Sequence, residues 1–424
     1  MQSTSSTAIK LIEAFQSEVK SDQSLLSLVA NEGVMSLTAR SVFNSSIIDR
    51  YFNGPGDTLT GGSYNTFTPF TSRGYPSAAT LIEAGQNVIK RRLGAKYVTL
   101  SPLSGLNAMT LALIIASKPG ELVATIPVGN GGHFATELVL KQTGRRQIDL
   151  PMYEASTRID LDALKHIIRI HGPKVVYLDS SFILEPHDII GLRDTVGSEI
   201  IIIYDASQTI GLMIGGFFQS PLYEGADIVT ANTHKTLHGP HKGLMAFRSA
   251  SMGKCFSETI SSGLLSSTHF SALVSLAITL LELDEYGFDL AESTIKNACE
   301  LSREFCALGY NVRSTSLGTP TCNHQAHVFI NTDEDYRKIY GRLYTSNIAV
   351  NFDNALGGHL YLRFGSQNIS RKGMTVAEMK TLAMLIDRVI RGSIVRNEVQ
   401  ELVSQYSAIK FSFDEIYLPN GGLT

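Results

Sequence analysis

Strand-like and helix-like stretches alternate between Ala79 and Arg248, and this alternation constrains the fold more than any other feature of the chain. The run Ile200–Tyr204 is almost purely β-branched, as expected of a strand that is covered on both faces. The other strands predicted in this region are Tyr97–Leu100, Leu122–Ile126, Lys174–Leu178 and Asp227–Val229. Helices are predicted between them at Leu81–Leu93, Asn107–Ser117 and Leu161–Ile170. This pattern predicts an α/β fold with a mostly parallel sheet between helices.

The segments before Ala79 and after Arg248 predict an N-terminal arm and a smaller C-terminal domain. An amphipathic helix is predicted at Ala8–Val19, and two long helices are predicted at Phe270–Tyr286 and Ala291–Leu308. The predicted α+β elements that follow are the strands Ala326–Ile330 and His359–Phe364 and the helix Val376–Arg391. For a chain of 424 residues we therefore expect an N-terminal arm (1–55), a large α/β domain (56–285) and a smaller C-terminal domain (286–424).

Composition and charge exclude several classes of function. The chain is 43% hydrophobic and 18% charged, which is typical of a globular protein. Its net charge is -3 and it has no run of Lys and Arg, so neither nucleic acid nor an anionic membrane is a predicted partner. No apolar stretch is long enough to span a bilayer, and Met1–Lys20 does not resemble a signal peptide, so we predict a cytoplasmic location. The cysteine spacing predicts no metal site.

A lysine and an aspartate follow two of the predicted strands. Asp205 ends the run Ile200–Tyr204, and Lys235 follows the strand Asp227–Val229 among hydroxyl and histidine side chains. A partly buried lysine beside other cations has a lowered pKa and can form an imine with an aldehyde. An aspartate can pair with the protonated ring nitrogen of pyridoxal phosphate (PLP). On this pattern alone, an exposed turn lysine and a capping or ion-paired aspartate remain alternatives.

The segments that carry these two residues resemble the cofactor motifs of serine hydroxymethyltransferases. They read Tyr204-Asp-Ala-Ser-Gln-Thr-Ile-Gly-Leu212 and Thr233-His-Lys-Thr-Leu-His-Gly-Pro240, and the resemblance extends from about Ser24 to Lys372. The stretches Gly215–Val229 and Asn232–Thr236 are most similar to the branch of L-threonine transaldolases. The resemblance implies a fold-type I PLP-dependent transferase, with PLP as cofactor and a homodimer with shared active sites.

The same resemblance assigns residues to the cofactor. It implies that Lys235 forms the imine, that His234 lies beside it at the cofactor, and that Asp205 pairs with the ring nitrogen. His133, in Gly131-Gly-His-Phe134, would stack on the ring, where an aromatic plate favours cleavage of the bond perpendicular to the ring. Ser180 would lie near the PLP hydroxyl.

A predicted helix start offers a phosphate site at Ser104, Gly105 and Asn107. Backbone N–H groups and a hydroxyl at a helix N-terminus bind phosphate well, although an ordinary N-cap has the same sequence. The family often has a second hydroxyl where this chain has Leu106. Phosphate contacts are therefore expected to depend on backbone amides and on Asn107.

The resemblance also implies residues that handle the substrate. Arg363, in Leu362-Arg-Phe-Gly365, would grip the α-carboxylate of an amino acid, since a guanidinium binds a carboxylate bidentately. Glu32 matches an acid/base glutamate, with Asn31 beside it in place of a serine, as in the transaldolase branch. Tyr51 matches a tyrosine supplied by the partner subunit. Gln208 stands where most hydroxymethyltransferases, and the transaldolases too, have histidine. Glutamine can still contact the PLP oxygen or the substrate carboxylate, but it cannot shuttle a proton.

The function implied is aldol-type cleavage and formation of a carbon–carbon bond at Cα of a β-hydroxy amino acid, L-threonine or serine. The bond would break and form through a glycyl quinonoid, and the carbanion would then transfer to a second aldehyde. A folate-dependent serine or α-methylserine hydroxymethyltransferase is the alternative enzyme. Leu264–His269, which replaces the family's Gly-rich loop, argues against folate-dependent serine cleavage. An inactive binding protein that retains the PLP fold is the alternative outside enzymes.

Overall fold

The computed structural model describes residues 2–52, 74–153, 157–259, 264–265, 267–330, 334–353 and 361–414. Its strands, in chain order, are β1 Leu26–Ser27, β2 Tyr97–Thr99, β3 Leu122–Thr125, β4 Arg146–Asp149, β5 Val175–Leu178, β6 Ile201–Asp205, β7 Ile228–Asn232, β8 Gly243–Phe247, β9 Asn311–Val312, β10 Gln325–Phe329, β11 Ile348–Ala349, β12 Asn351–Asp353 and β13 Tyr361–Gly365.

Helices connect and cover these strands. The α-helices are Gln2–Asp22, Leu37–Ser41, Pro76–Leu93, Gly105–Ala116, Thr136–Gln142, Leu161–His171, Ile189–Val196, Ile210–Ile214, Pro221–Glu224, Ala250–Thr259, Phe270–Ala307, Tyr336–Thr345, Gln367–Arg371, Val376–Ile390 and Arg396–Ser404. Short 3-10 helices lie at Val42–Asn44, Ser46–Asp49 and Val128–Asn130. Among the described residues, no helix is long and apolar enough to cross a bilayer.

The largest sheet confirms the predicted α/β fold. Its seven strands run in the order β2-β8-β7-β6-β5-β3-β4, and the strands from β7 to β4 are all parallel. β8 is antiparallel to both of its neighbours. Every residue of β3, β5, β7 and β8 is buried, because helices cover both faces of the sheet. The strands β4 and β8 were not predicted from the sequence.

A smaller α+β unit follows, as predicted. Its antiparallel sheet has the order β12-β13-β10-β9, and the helix Val376–Ile390 packs in the same hydrophobic core. A separate parallel pair joins β1 to β11, so part of the predicted N-terminal arm pairs with the C-terminal part of the chain.

The two long helices predicted after Ser266 form one helix of 38 residues, Phe270–Ala307. The gap predicted between them, at 287–290, was wrong, because these residues are helical too, and the segment of Gly215 approaches the helix closely at Gly287. A Cβ added to Gly215 would lie 2.3 Å from the carbonyl oxygen of Gly287. The helix contributes side chains to the cores of both sheets. The predicted domain boundary at 285/286 falls inside it and stays a prediction.

Candidate active site

A cavity lies at the carboxyl ends of β5, β6 and β7, and most of the side chains that line it are polar. This is the edge at which open α/β sheets bind ligands. Six residues predicted from the sequence line it, and they come from five separate segments: Gly105, His133, Ser180, Asp205, Gln208 and Lys235. The fold thus brings most of the predicted cofactor residues together.

The carboxylate of Asp205 is held in place by three donors. Oδ2 accepts hydrogen bonds from the Tyr177 hydroxyl at 3.1 Å and the Thr230 hydroxyl at 2.9 Å, and Oδ1 accepts one from the Ser207 N–H at 2.9 Å. Thr230 is paired with Asp205 across β6 and β7, so the sheet itself fixes one donor. Such a fixed anion at the cavity suits a cationic ring nitrogen.

Lys235 lies on the loop after β7 and is partly buried. Burial lowers the pKa of its ammonium to about 8; the charge of Asp205 opposes this change, and that of Arg363 adds to it. At neutral pH a larger fraction of this amine is therefore free to attack an aldehyde than of an exposed lysine.

His133 has a fixed orientation at the cavity. Its Nδ1 accepts a hydrogen bond from the Ala135 N–H at 3.2 Å, so the neutral ring carries its proton on Nε2. Burial lowers the pKa of His133; the charge of Asp205 opposes this effect and that of Lys235 adds to it. The ring is therefore neutral near pH 7 and can donate a hydrogen bond from Nε2.

The predicted phosphate site forms the start of the helix Gly105–Ala116. The Ser104 hydroxyl accepts from the Asn107 N–H at 3.1 Å, and the Asn107 side chain accepts from the Leu103 N–H at 3.0 Å. Both predicted polar side chains therefore act in the cap, and Gly105 and Leu106 line the cavity. Backbone N–H groups at this helix end remain suited to bind an anion.

Gln208 joins a chain of amide side chains beside the cavity. Its Nε2 donates to Asn31 Oδ1 at 3.2 Å, and its Oε1 accepts from Gln325 Nε2 at 3.1 Å. Gln325 in turn contacts His327 at 2.9 Å. The sequence predicted Asn31 and Gln208 as site residues but gave no sign of Gln325 and His327, because they lie on the separate sheet of the smaller unit.

Arg363 approaches the same region from β13. The side chain is 4% exposed, and its Nη1 donates to the Ser181 carbonyl at 3.0 Å. The guanidinium carbon lies 4.9 Å from the ring centroid of Phe182. A buried guanidinium next to the cavity is suited to hold the carboxylate of an amino acid.

Comparisons with known proteins agree with this geometry. The family model of serine hydroxymethyltransferase matches residues 5–386. The chain belongs to this family. The fluorothreonine transaldolase of Streptantibioticus cattleyicolor is 32% identical over 95% of this chain, which spans 63% of the length of that relative. The serine hydroxymethyltransferase of Thermoplasma volcanium is 32% identical over 92% of both chains.

A solved structure extends the likeness. L-threonine transaldolase from Pseudomonas fluorescens, in its internal aldimine state, matches with a TM-score of 0.87 at 27% identity, over 98% of this chain and 96% of that chain. The protein is therefore a PLP-dependent enzyme of fold type I, near the transaldolase branch of the hydroxymethyltransferase family, and the alternative of an inactive binding protein is wrong. Lys235, Asp205 and the open helix start fit PLP, since they offer an amine, an anion and an anion-binding end in one cavity.

Glu32 lies outside the cavity of Lys235 in its own chain, and its predicted acid/base role stays a prediction. Its carboxylate is exposed, accepts from the Ser27 hydroxyl at 3.1 Å and lines a different cavity, next to Lys372. The backbone explains the difference, because Gly33 packs against the Lys235 loop and Gln367 donates to the Glu32 carbonyl at 2.6 Å. Within one chain, Glu32 is therefore outside the cavity of Lys235.

His234 and Tyr51 line a third cavity, whose lining does not include Lys235. The His234 ring stacks on His241 with 3.8 Å between centroids, and burial lowers its pKa to about 4. Tyr51 is 62% exposed. Neither residue lines the cavity of Lys235 in its own chain, so their predicted contacts to cofactor and substrate stay predictions.

Sequence analysis missed residues that support the predicted ones. His187 contacts the Ser180 hydroxyl at 2.7 Å, and burial lowers the pKa of His187 to about 4, so the ring is neutral. Asp179 lines the cavity directly after β5, next to Ser180. The rule that ligands bind beyond strand ends could have identified Asp179. No sequence signal pointed to His187.

Replacing Gly33 by alanine is expected to weaken PLP binding and lower stability. The added Cβ would lie 2.1 Å from the Lys235 carbonyl oxygen and 2.8 Å from that of His234, so the loop that carries the lysine must move. Overpacking of this kind typically costs about 1–3 kcal/mol. Thermal unfolding and PLP titration would measure the effect. Gly129→Ala is the control, since nothing lies within 4 Å of its added Cβ; equal behaviour of the two variants would contradict the prediction.

The rate at which the apoenzyme binds PLP covalently should rise with pH and level off above about 8. Below that pKa most Lys235 side chains are protonated and cannot attack, and above it the free amine predominates. Stopped-flow absorbance over a pH series would record the rate. A blocked lysine in free solution, with a pKa near 10.4, should show the same rise about two units higher. Coincident profiles would show that burial does not activate Lys235.

Proposed function

We propose that this enzyme is a transaldolase that exchanges the aldehyde portion of L-threonine for a second aldehyde. The observation that carries the proposal is the contact of Asn31 with Gln208 at the cavity of Lys235, 3.2 Å long. Asn31 stands where hydroxymethyltransferases have serine and matches the transaldolase branch. The likeness to fluorothreonine transaldolase and to the L-threonine transaldolase structure supports the same reaction.

In this reaction the Cα–Cβ bond of threonine breaks, the β-hydroxyl loses its proton and acetaldehyde leaves. The carbanion left on the glycyl unit attacks the carbonyl carbon of a second aldehyde, whose oxygen takes up a proton. The products are acetaldehyde and a new β-hydroxy amino acid. PLP supplies the electron sink that makes the carbanion accessible.

The residues of the chain would orient and exchange protons around this step. The Arg363 guanidinium would hold the substrate carboxylate, and Asp205 would keep the cofactor ring protonated. The Nε2–H of His133 would donate a hydrogen bond to the aldehyde oxygen as negative charge develops on it. Because Glu32 lies outside the cavity in its own chain, a water molecule is the proposed acceptor of the hydroxyl proton.

We also propose that two copies form a homodimer with shared active sites. The first helix, Gln2–Asp22, exposes Ile9, Ile12, Phe15 and Val19 at helical spacing. This apolar stripe has the form of a helix face that packs against another surface. Tyr51 would then reach the active site of the partner. A cytoplasmic location stays the prediction made from the sequence.

Incubation of the enzyme with L-threonine and a panel of aldehydes tests the proposal. We expect acetaldehyde release to rise when an acceptor aldehyde is added, and a product with the mass of glycine plus that aldehyde. No folate should be required. Lys235→Ala is the inactive control. Acetaldehyde release that is unaffected by every acceptor, with no new amino acid, would contradict transaldolation.

The alternative is a folate-dependent serine or α-methylserine hydroxymethyltransferase. The observation in its favour is the family match over residues 5–386 and the 32% identity to the hydroxymethyltransferase of Thermoplasma volcanium. Loss of serine that depends on added tetrahydrofolate would decide for it. We expect no such dependence, because Leu264–His269 replaces a Gly-rich loop of that family.

A further inference from the structure

A second carboxyl group faces the cofactor cavity beside Asp205. Asp179 directly follows β5, is 4% exposed and lines the cavity together with Lys235. Its Oδ2 accepts from the Thr136 hydroxyl at 2.5 Å and from the His133 N–H at 3.3 Å. Its Oδ1 is buried and has no hydrogen-bond partner. A buried polar atom without a partner is costly unless a ligand or a proton occupies it.

The two carboxyl groups differ in the donors that they receive. Both oxygens of Asp205 accept hydrogen bonds, three in all, which is the environment of an ionised carboxylate. Asp179 receives donors on one oxygen only. Two carboxylates that face one enclosed cavity repel each other, so the less solvated one takes up a proton. The unpartnered Oδ1 is the atom that would carry this proton.

We propose that Asp179 is a carboxylic acid kept neutral in the folded enzyme, and that its Oδ1–H donates a hydrogen bond to an oxygen of the bound PLP. The role parallels buried acids that other enzymes keep protonated in order to donate. It depends on the cofactor but not on which aldehyde or one-carbon acceptor the enzyme uses. A failure of the transaldolase proposal would therefore leave it intact.

The surrounding charges support the neutral form. Burial raises the pKa of Asp179 to about 7; the Thr136 hydrogen bond opposes this increase and the charge of Asp205 adds to it. Lys235 lines the cavity as a cation, and the charge of Asp205 raises the pKa of its ammonium while that of Arg363 lowers it. His133 is neutral near pH 7 because burial lowers its pKa. The Tyr177 hydroxyl donates to Asp205, and burial raises its pKa, so it adds no charge.

Two substitutions of Asp179 test whether the site needs a hydrogen-bond donor or a negative charge at this position. Asp179→Asn keeps the shape, accepts from His133 and Thr136 through its oxygen and directs an N–H donor from the other branch. Asp179→Leu has a similar volume and no donor. We expect PLP to bind to Asp179→Asn within about threefold of the wild type and to Asp179→Leu about tenfold more weakly. Asp149→Asn, the same change at the exposed end of β4, the edge strand of the same sheet, is the control and should change nothing.

Infrared spectroscopy reports directly whether the Asp179 carboxyl group is protonated, which a purely structural role of Asp179 would not require. At about pH 6, below the pKa of Asp179, the wild-type holoenzyme should show the C=O band of a protonated carboxyl group. The band should be absent from Asp179→Asn and unchanged in Asp149→Asn. This comparison decides the matter even if Asp179→Leu does not fold.

Either of two results would overturn the proposal. One is that the wild-type spectrum and the Asp179→Asn spectrum show the same protonated-carboxyl bands, so that no band can be assigned to Asp179. The other is an asparagine variant that binds PLP about tenfold more weakly while its thermal midpoint stays that of the wild type, because this would mean that the site requires a negative charge.

Discussion

Replacing Lys235 by alanine is expected to lower activity by about a thousandfold or more and to abolish the visible absorbance of the enzyme-bound cofactor. The amine of Lys235, made nucleophilic by the burial that lowers its pKa to about 8, is the group in the cavity that can form the imine. Absorbance of the purified protein and amino-acid turnover would be measured together.

Two control variants sharpen this experiment. Lys235→Arg retains a cation but cannot form the imine at neutral pH, so it should be as inactive as Lys235→Ala. Lys254→Ala removes an exposed lysine from the helix Ala250–Thr259 and should behave like the wild type. A Lys235→Ala variant that keeps a borohydride-stable cofactor link would locate the imine elsewhere and refute the assignment.

Replacing Arg371 by methionine is expected to destabilise the fold by about 3–5 kcal/mol, which is the usual cost of leaving a buried charge without its partner. Arg371 and Glu282 form an ion pair 2.8 Å long in which both side chains are 0% exposed. The pair joins the helix Gln367–Arg371 to the helix Phe270–Ala307. It also fixes the C-terminal segment, because Arg371 donates to the Phe411 carbonyl and Glu282 accepts from the Phe413 N–H. The denaturant midpoint and slope would give the change in the free energy of unfolding.

An exposed ion pair provides the matched control. Arg388 and Glu398 are 2.9 Å apart with side chains 48% and 46% exposed, so Arg388→Met should change stability far less than Arg371→Met. The double variant Arg371→Met, Glu282→Gln should be more stable than Arg371→Met alone, because no unpaired charge is left in the core. Equal losses in Arg371→Met and Arg388→Met would show that burial does not matter here.

Local patterns in the sequence predicted the strands and the residues at their ends, because these features depend on residues that are close together in the chain. The β-branched run Ile200–Tyr204 indicated a strand buried on both faces, and the structure has β6 there. Asp205 and Lys235 follow strands, and parallel strands bring their carboxyl ends to one edge, so both residues reach one cavity. Covalent order and the direction of the strands are sufficient for this result.

The directions of side chains on irregular segments could not be predicted in this way. Glu32 and His234 are adjacent to residues at the active site, yet each faces a different cavity. Their orientation is set by the contact between Gly33 and the Lys235 loop, two segments that are about 200 residues apart in the chain. The same is true of Gln325, whose bond to Gln208 crosses from the smaller sheet to the larger.

The sequence by itself thus determined the alternating sheet and the strand ends that bring Asp205 and Lys235 to one cavity, because these follow from strand periodicity. The cofactor roles of these two residues came from the resemblance to serine hydroxymethyltransferases and stay predictions. Only the tertiary structure decided which polar groups complete the cavity, that Phe270–Ala307 is one helix, and that Asp179 has a buried oxygen without a partner. The physical reason is that hydrogen bonding and burial of these groups depend on contacts between distant segments, and local spacing in the sequence carries no information about such contacts.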